Sequence, residues 1–266
     1  MRPTNHKIQF LICSLIIAAG PLFGDVRIEV RDGRPVVDGV YVDGHGPHRF
    51  LVDTGSNVNL IDAHLAQSIG LKATFESKLA SSSGVTVVPG NDRIEVMLDP
   101  VRADAQEFLF SGLEAIHNRW PDIQGVLGQW FLSRFDYTLD LLGKRLDFGK
   151  QERIGTHVRV TTINGRLAVS TSLGNLVLDS GADRLILFGV KPDTGSGMKS
   201  ELRTVAGSQQ IGMVFDKPLS IEGRKVWRGD AVALPSRTEP GVDGLLPLGV
   251  FKAVYVCNSE GYVVFE

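Results

Sequence analysis

Phe50-Leu51-Val52-Asp53-Thr54-Gly55-Ser56 and Leu176-Val177-Leu178-Asp179-Ser180-Gly181-Ala182 place the same chemistry at two points of the chain. In each, three apolar residues lead into an acid, then a hydroxyl residue, then a glycine. The apolar approach reads as the end of a buried strand, and the hydroxyl and glycine read as a tight turn. A second apolar run follows each turn, at residues 58–61 and 185–188. Strand, turn and strand are therefore predicted twice, each time with an Asp at the turn.

The repeat extends outward from these turns. Gly33-Arg34-Pro35-Val36-Val37 precedes the first, and Gly165-Arg166-Leu167-Ala168-Val169 precedes the second. Downstream, the small-residue stretches 79–84 and 202–207 lie between extended segments and read as hairpin tips. Gly125-Val126-Leu127-Gly128 and Gly244-Leu245-Leu246-Pro247 then lead into closing hairpins at 135–148 and 254–265. Internal similarity of this kind predicts two like lobes, residues 25–150 and 151–266, joined by the polar stretch 149–155. One short helix is expected, from a capping Asp62 to a terminating Gly70, with no counterpart in the second half. With 30 glycines and short alternating apolar runs, the fold class reads as mainly β.

Composition narrows the partners. At 266 residues and 43% hydrophobic content the chain can bury a core in each half, and a formal charge of −2 without a basic stripe argues against nucleic acid. Arg2, His6 and Lys7 precede an apolar stretch at 8–23, the layout of a secretory signal, so residues 1–24 predict export to a periplasmic or extracellular space. Cleavage sites after Gly20 or Gly24 are poor, and an uncleaved segment would act as an N-terminal membrane anchor. Of the two cysteines, Cys13 lies in this segment and Cys257 near the other end, so the exported domain would hold no intrachain disulfide.

Two carboxyls brought together can hydrolyse an amide without metal or cofactor. One ionised carboxyl takes a proton from water while its protonated partner gives one to the carbonyl oxygen. Like charges a few ångströms apart resist joint ionisation, so the pair titrates as a unit. Asp53 and Asp179 are the candidate catalytic pair. The hydroxyls of Thr54 and Ser180 would bond nearby backbone and lock each turn, and Gly55 and Gly181 would leave room for N–H groups to approach the carboxylates.

These residues resemble the active-site turns of the aspartic peptidases of the pepsin and retropepsin type. Gly125-Val126-Leu127-Gly128 is similar to the element that packs beneath such a turn, and Asp-Ser-Gly-Ala-Asp at 179–183 resembles the retroviral form. The resemblance implies a bilobal acid-protease fold, a cleft between the lobes for a peptide or protein substrate, and a hairpin flap at Ser81, Ser82, Ser83 and Gly84. It also implies that Ser56 bonds the Asp53 carboxyl and that Asp183 touches substrate backbone. With both acids in one chain, a monomer suffices. Three departures stand out. Ala182 lacks the hydroxyl of Ser56, which favours Asp53 as the ionised member. Pro247 stands where a glycine is expected, unless Gly249 is that glycine displaced. The candidate flap carries no tyrosine.

Other chemistries carry less. Ser196-Gly197-Met198-Lys199 has the spacing of a serine acyl enzyme but sits among glycines with no companion motif, as a loop would. His45 and His48 flank Gly46-Pro47, a hairpin tip with no third metal ligand near in sequence. Trp120, Trp130 and Trp227 read as packing residues. The rival to a peptidase is a catalytically silent protein of the same fold that binds a peptide or partner in its cleft.

Overall fold

A computed structural model describes residues 24–81, 84–153, 155–193, 200–204, 207–235, 237 and 239–266. Residues 1–23 of the predicted signal segment, flap residues Ser82 and Ser83, and the Ser196–Lys199 spacing lie outside them, Gly24 opens the strand Gly24–Arg31, and of Ser81 and Gly84 the backbone alone is described.

The protein is mainly β and bilobal, as the repeat predicts. Each lobe is built around a sheet whose centre carries the Asp strand. In the first, His45–Val52 runs parallel to Gly125–Leu127, which in turn pairs with Asn59–Asp62. In the second, Gly174–Asp179 runs parallel to Gly244–Pro247, which pairs with Ile186–Phe188. Toward the Asp turns these central strands are buried, which explains why they read there as unbroken apolar runs rather than as alternation. Toward the edge of each sheet comes a long hairpin: Phe75–Ser81 with Gly84–Leu98 in the first lobe, and Ser200–Thr204 with Gly207–Ile221 in the second. Both fall where the small-residue tips predict them.

The expected helix spans Ala63–Ser68, with the Leu65 N–H donating to Asp62 Oδ1 at 2.9 Å as an N-cap. Two further helical turns, Glu114–His117 and Gln129–Leu132, carry too few residues for a periodic signal. His45 and His48 lie on a strand rather than at a tip, because the chain already reverses at Asp43 and Gly44, both with positive φ. No metal-binding cluster occurs among the described residues.

The closing hairpins do not stay within their own halves. Ala253–Cys257 pairs with Tyr137–Asp140, in the register Val254 to Leu139 and Tyr255 to Thr138. Val158–Arg159, Tyr262–Phe265, Ala253–Cys257, Tyr137–Asp140, Arg145–Phe148 and Gly24–Arg31 thereby form one antiparallel platform. Each half supplies three strands, arranged symmetrically about the pairing of Ala253–Cys257 with Tyr137–Asp140. Leu139, Leu146, Val254 and Val256 bury into a core that draws on both lobes. The two Asp turns are thus fixed on a common base.

Candidate active site

Each Asp strand ends where its parallel neighbour ends. The Asp53 N–H donates to Leu127 O at 2.9 Å, and Asp179 stands opposite Pro247 in the parallel register. That register settles the alternative left by the sequence. Pro247 occupies the place of Gly128, while Gly249 falls within the following 3-10 turn Leu248–Val250.

The hydroxyls do more than the sequence suggests, because each crosses to the other lobe. Thr54 Oγ1 donates to Leu178 O at 2.8 Å and accepts from the Ser180 N–H at 2.9 Å. In return Ser180 Oγ donates to Val52 O at 2.7 Å and accepts from the Thr54 N–H at 3.0 Å. Both side chains are buried, so water offers these four backbone groups no alternative, and losing one hydroxyl strands two of them. The bonds lock one turn to the other rather than each turn to itself.

The glycines have a similar cross-lobe reason. A side chain on Gly55 would begin 2.4 Å from the Asp179 carboxyl carbon, and one on Gly181 would begin 2.7 Å from that of Asp53. Neither separation is tolerable, so each glycine makes room for the opposite acid. The two carboxyls thus face each other across the junction, each beside the opposite glycine, close enough to influence one another's charge. Asp53 Oδ1 accepts from the Gly55 N–H at 2.9 Å, and Asp179 Oδ1 accepts from the N–H groups of Gly181 and Ala182 at 2.7 and 2.9 Å.

Ser56 departs from what the resemblance implies. Its hydroxyl donates to Val58 O at 2.8 Å and not to the Asp53 carboxyl, because the backbone carbonyl of the outgoing strand lies within its short reach. Asp183 lies at the lobe junction, 3.8 Å from Arg34 and 3.5 Å from Arg184.

Burial raises the pKa of both acids. For Asp179 the charge of Asp53 is the second cause, and together they push it up to about 8. Asp53 is stabilised in its charged form by its turn N–H groups, the Asp179 carboxyl and the Arg34 guanidinium. Joint ionisation of the two acids is thus disfavoured, and Asp53 is the one with a cationic neighbour, Arg34. The sequence favours Asp53 as the ionised member on the ground of the Ser56 hydroxyl; in the structure the charged form of Asp53 is supported first by the Gly55 N–H, with the Arg34 guanidinium a smaller contribution.

Several contributors escape the sequence reading. Arg34 Nε donates to Gly181 O at 2.6 Å and Arg166 Nη1 donates to Gly55 O at 3.4 Å, so an arginine from each lobe clasps the opposite turn. The recurrence of Gly-Arg at 33–34 and 165–166 is the signal that could have found them. Below the first turn, Asn59 Oδ1 accepts from the Gly128 N–H at 2.9 Å and Gln129 Nε2 donates to Thr54 O at 2.8 Å. No pattern marks these two amides.

The arrangement has known counterparts. The aspartyl protease family matches residues 39–131, which hold the first Asp turn and the strand beneath it. No curated protein sequence matches the chain. Among solved structures, the aspartic proteinase from Irpex lacteus is similar over 91% of this chain and 96% of that chain, with a TM-score of 0.56 at 14% identity. The chain thus has the two-lobed fold of an aspartic proteinase and, over residues 39–131, the sequence signature of the aspartyl protease family.

Proposed function

We propose that this protein is an aspartic endopeptidase in which Asp53 and Asp179 activate a water against a peptide bond. The observation that carries the reading is that two carboxyls from opposite lobes, Asp179 buried and Asp53 half-buried, face each other, each accepting from its own turn and each beside the opposite glycine. Asp53 takes a proton from the water as its oxygen bonds to the carbonyl carbon, and Asp179 passes its proton to the carbonyl oxygen. The tetrahedral diol then collapses: the C–N bond breaks, the nitrogen takes the proton held by Asp53, one diol hydroxyl returns its proton to Asp179, and a new carboxyl end remains. Rigid turns on a shared platform supply the orientation. On the sequence reading of residues 1–24, the site would work outside the cytoplasm.

The test is cleavage of a peptide library, with and without pepstatin, by the intact protein and by Asp53→Asn and Asp179→Asn. Turnover should be pepstatin-sensitive, fall by about 10³-fold or more in either variant, and follow a bell-shaped pH profile, because the dyad works with one proton. A folded wild-type protein that binds peptides without cutting them, or variants that cut as well as wild type, would overturn the proposal.

A further inference from the structure

The two arginine clasps match in geometry and differ in charge. Arg34 and Arg166 follow the glycine of corresponding turns, are similarly buried, and reach a glycine carbonyl of the opposite Asp turn. Gly181, which Arg34 holds, faces Asp53; Gly55, which Arg166 holds, faces Asp179. Each arginine therefore ends beside a different acid. Arg166 Nη2 is in direct contact with Glu239 from its own lobe, which also accepts from Asn164, so that charge is met on the spot. Arg34 is matched less closely. Its carboxylate, Asp183, is 3.8 Å away and shared with Arg184.

The wider surroundings repeat the imbalance. Asp183 is the fourth residue after Asp179, and the corresponding residue after Asp53 is the uncharged Asn57, beside Gly165. Arg34 also lies over one face of Trp120, 5.7 Å from the ring centroid. Arg119 lies 5.4 Å from the same ring and is paired with Asp32 at 2.6 Å. Around Arg34, at the start of Arg34–Val42, the charged groups are thus Asp32 from the preceding turn, Arg119 just after Glu114–His117, and Asp183 and Arg184 after the opposite Asp, so that three cations meet two anions. Arg166 is matched by Glu239.

We infer that Arg34 is a positioning residue for the dyad: it clasps the second turn from across the lobe junction and leaves beside Asp53 a positive charge that Arg166 does not leave beside Asp179. This charge favours Asp53 as the base, although one N–H of its turn donates to its carboxyl where two donate to Asp179. The inference rests on the dyad proposed above and adds what selects between its members. A cation that is only partly compensated favours the ionised form of a nearby carboxyl. Removing it while keeping the fold should make the base harder to ionise.

The readout is the acidic limb of the kcat/KM profile. In Arg34→Gln this limb should move up by about one pH unit. In Arg34→Lys, which keeps the charge but not the Nε–H, it should stay near the wild-type position while kcat falls. The double variant Arg166→Gln with Glu239→Gln removes the matching clasp without a net charge change and should leave the limb in place. An unmoved limb in Arg34→Gln, or an equal shift in the double variant, would reduce Arg34 to a mechanical clasp. If Arg34→Gln fails to fold, Asp183→Asn asks the same question in reverse: with less opposing charge beside Arg34, the limb should move down, and a fixed limb overturns the inference. Titration of the Asp carboxyl ¹³C resonances reads the same shift in a protein that cuts nothing, so failure of the peptidase reading and failure of this one are separable.

Discussion

Asn59 and Gly128 support the first Asp turn through a side-chain hydrogen bond, whereas Leu185 and Pro247 occupy the same places beneath the second. The match is fixed by register: Leu60 and Ile186 both pair with the central parallel strand, and the residue before each is Asn59 or Leu185. Proline has no N–H to offer, and leucine has no oxygen to receive one. A donor and an acceptor have changed together, which avoids the cost of leaving either one buried alone. Above the turns the lobes remain alike, with hydroxyls exchanged between Thr54 and Ser180. The underside of each turn can therefore be rebuilt in apolar material, but the face between the acids cannot.

The sharpest way to break that symmetry is at the shared face. Gly55→Ala and Gly181→Ala should each cut kcat/KM by about 10²-fold or more, since a methyl group must displace the opposite carboxyl and small misplacements of reacting groups are costly. A mild effect in one lobe alone would show that its partner acid has room to retreat.

Removing a hydroxyl should matter less for chemistry and more for stability. Ser180→Ala strands Val52 O and the Thr54 N–H, and Thr54→Ala strands Leu178 O and the Ser180 N–H. Each should lower the unfolding free energy by about 2–4 kcal/mol in denaturant titrations, while Thr54→Ser and Ser180→Thr keep most of it. Unequal losses would reveal which lobe carries the junction.

The smallest effects sharpen the contrast beneath the turns. Asn59→Leu abandons the Gly128 N–H and Glu107 O and should cost about 1–3 kcal/mol, whereas Pro247→Gly should cost less than about 1 kcal/mol. Equal costs, measured by the same denaturant titrations, would mean that the two undersides do equivalent work.

The sequence shows most of what repeats and little of what crosses. Asp53 and Asp179 are legible because apolar strand, acid, hydroxyl and glycine recur in order, and the Ala63–Ser68 helix is legible from its cap and stop residues. The destinations of the Thr54 and Ser180 hydroxyls are not legible, since a turn residue that bonds its own backbone and one that bonds a strand 126 positions away look identical along the chain. The platform is hidden for the same reason: Tyr137–Asp140 and Ala253–Cys257 each complete a local hairpin, and nothing in either marks its second neighbour. Ser56 shows the opposite error, in which a motif implies a bond that local geometry redirects.

That platform also orders events in time. Tyr137–Asp140 gains its second neighbour only when Ala253–Cys257 has been made. At roughly 5–20 residues per second of synthesis, the nascent strand would present an open edge for on the order of ten seconds. Such an edge is a template for pairing with another chain. A ribosome-bound or translocating intermediate of this protein is thus the stage at which a chaperone has most to cover, and the stage at which the acids have not yet met.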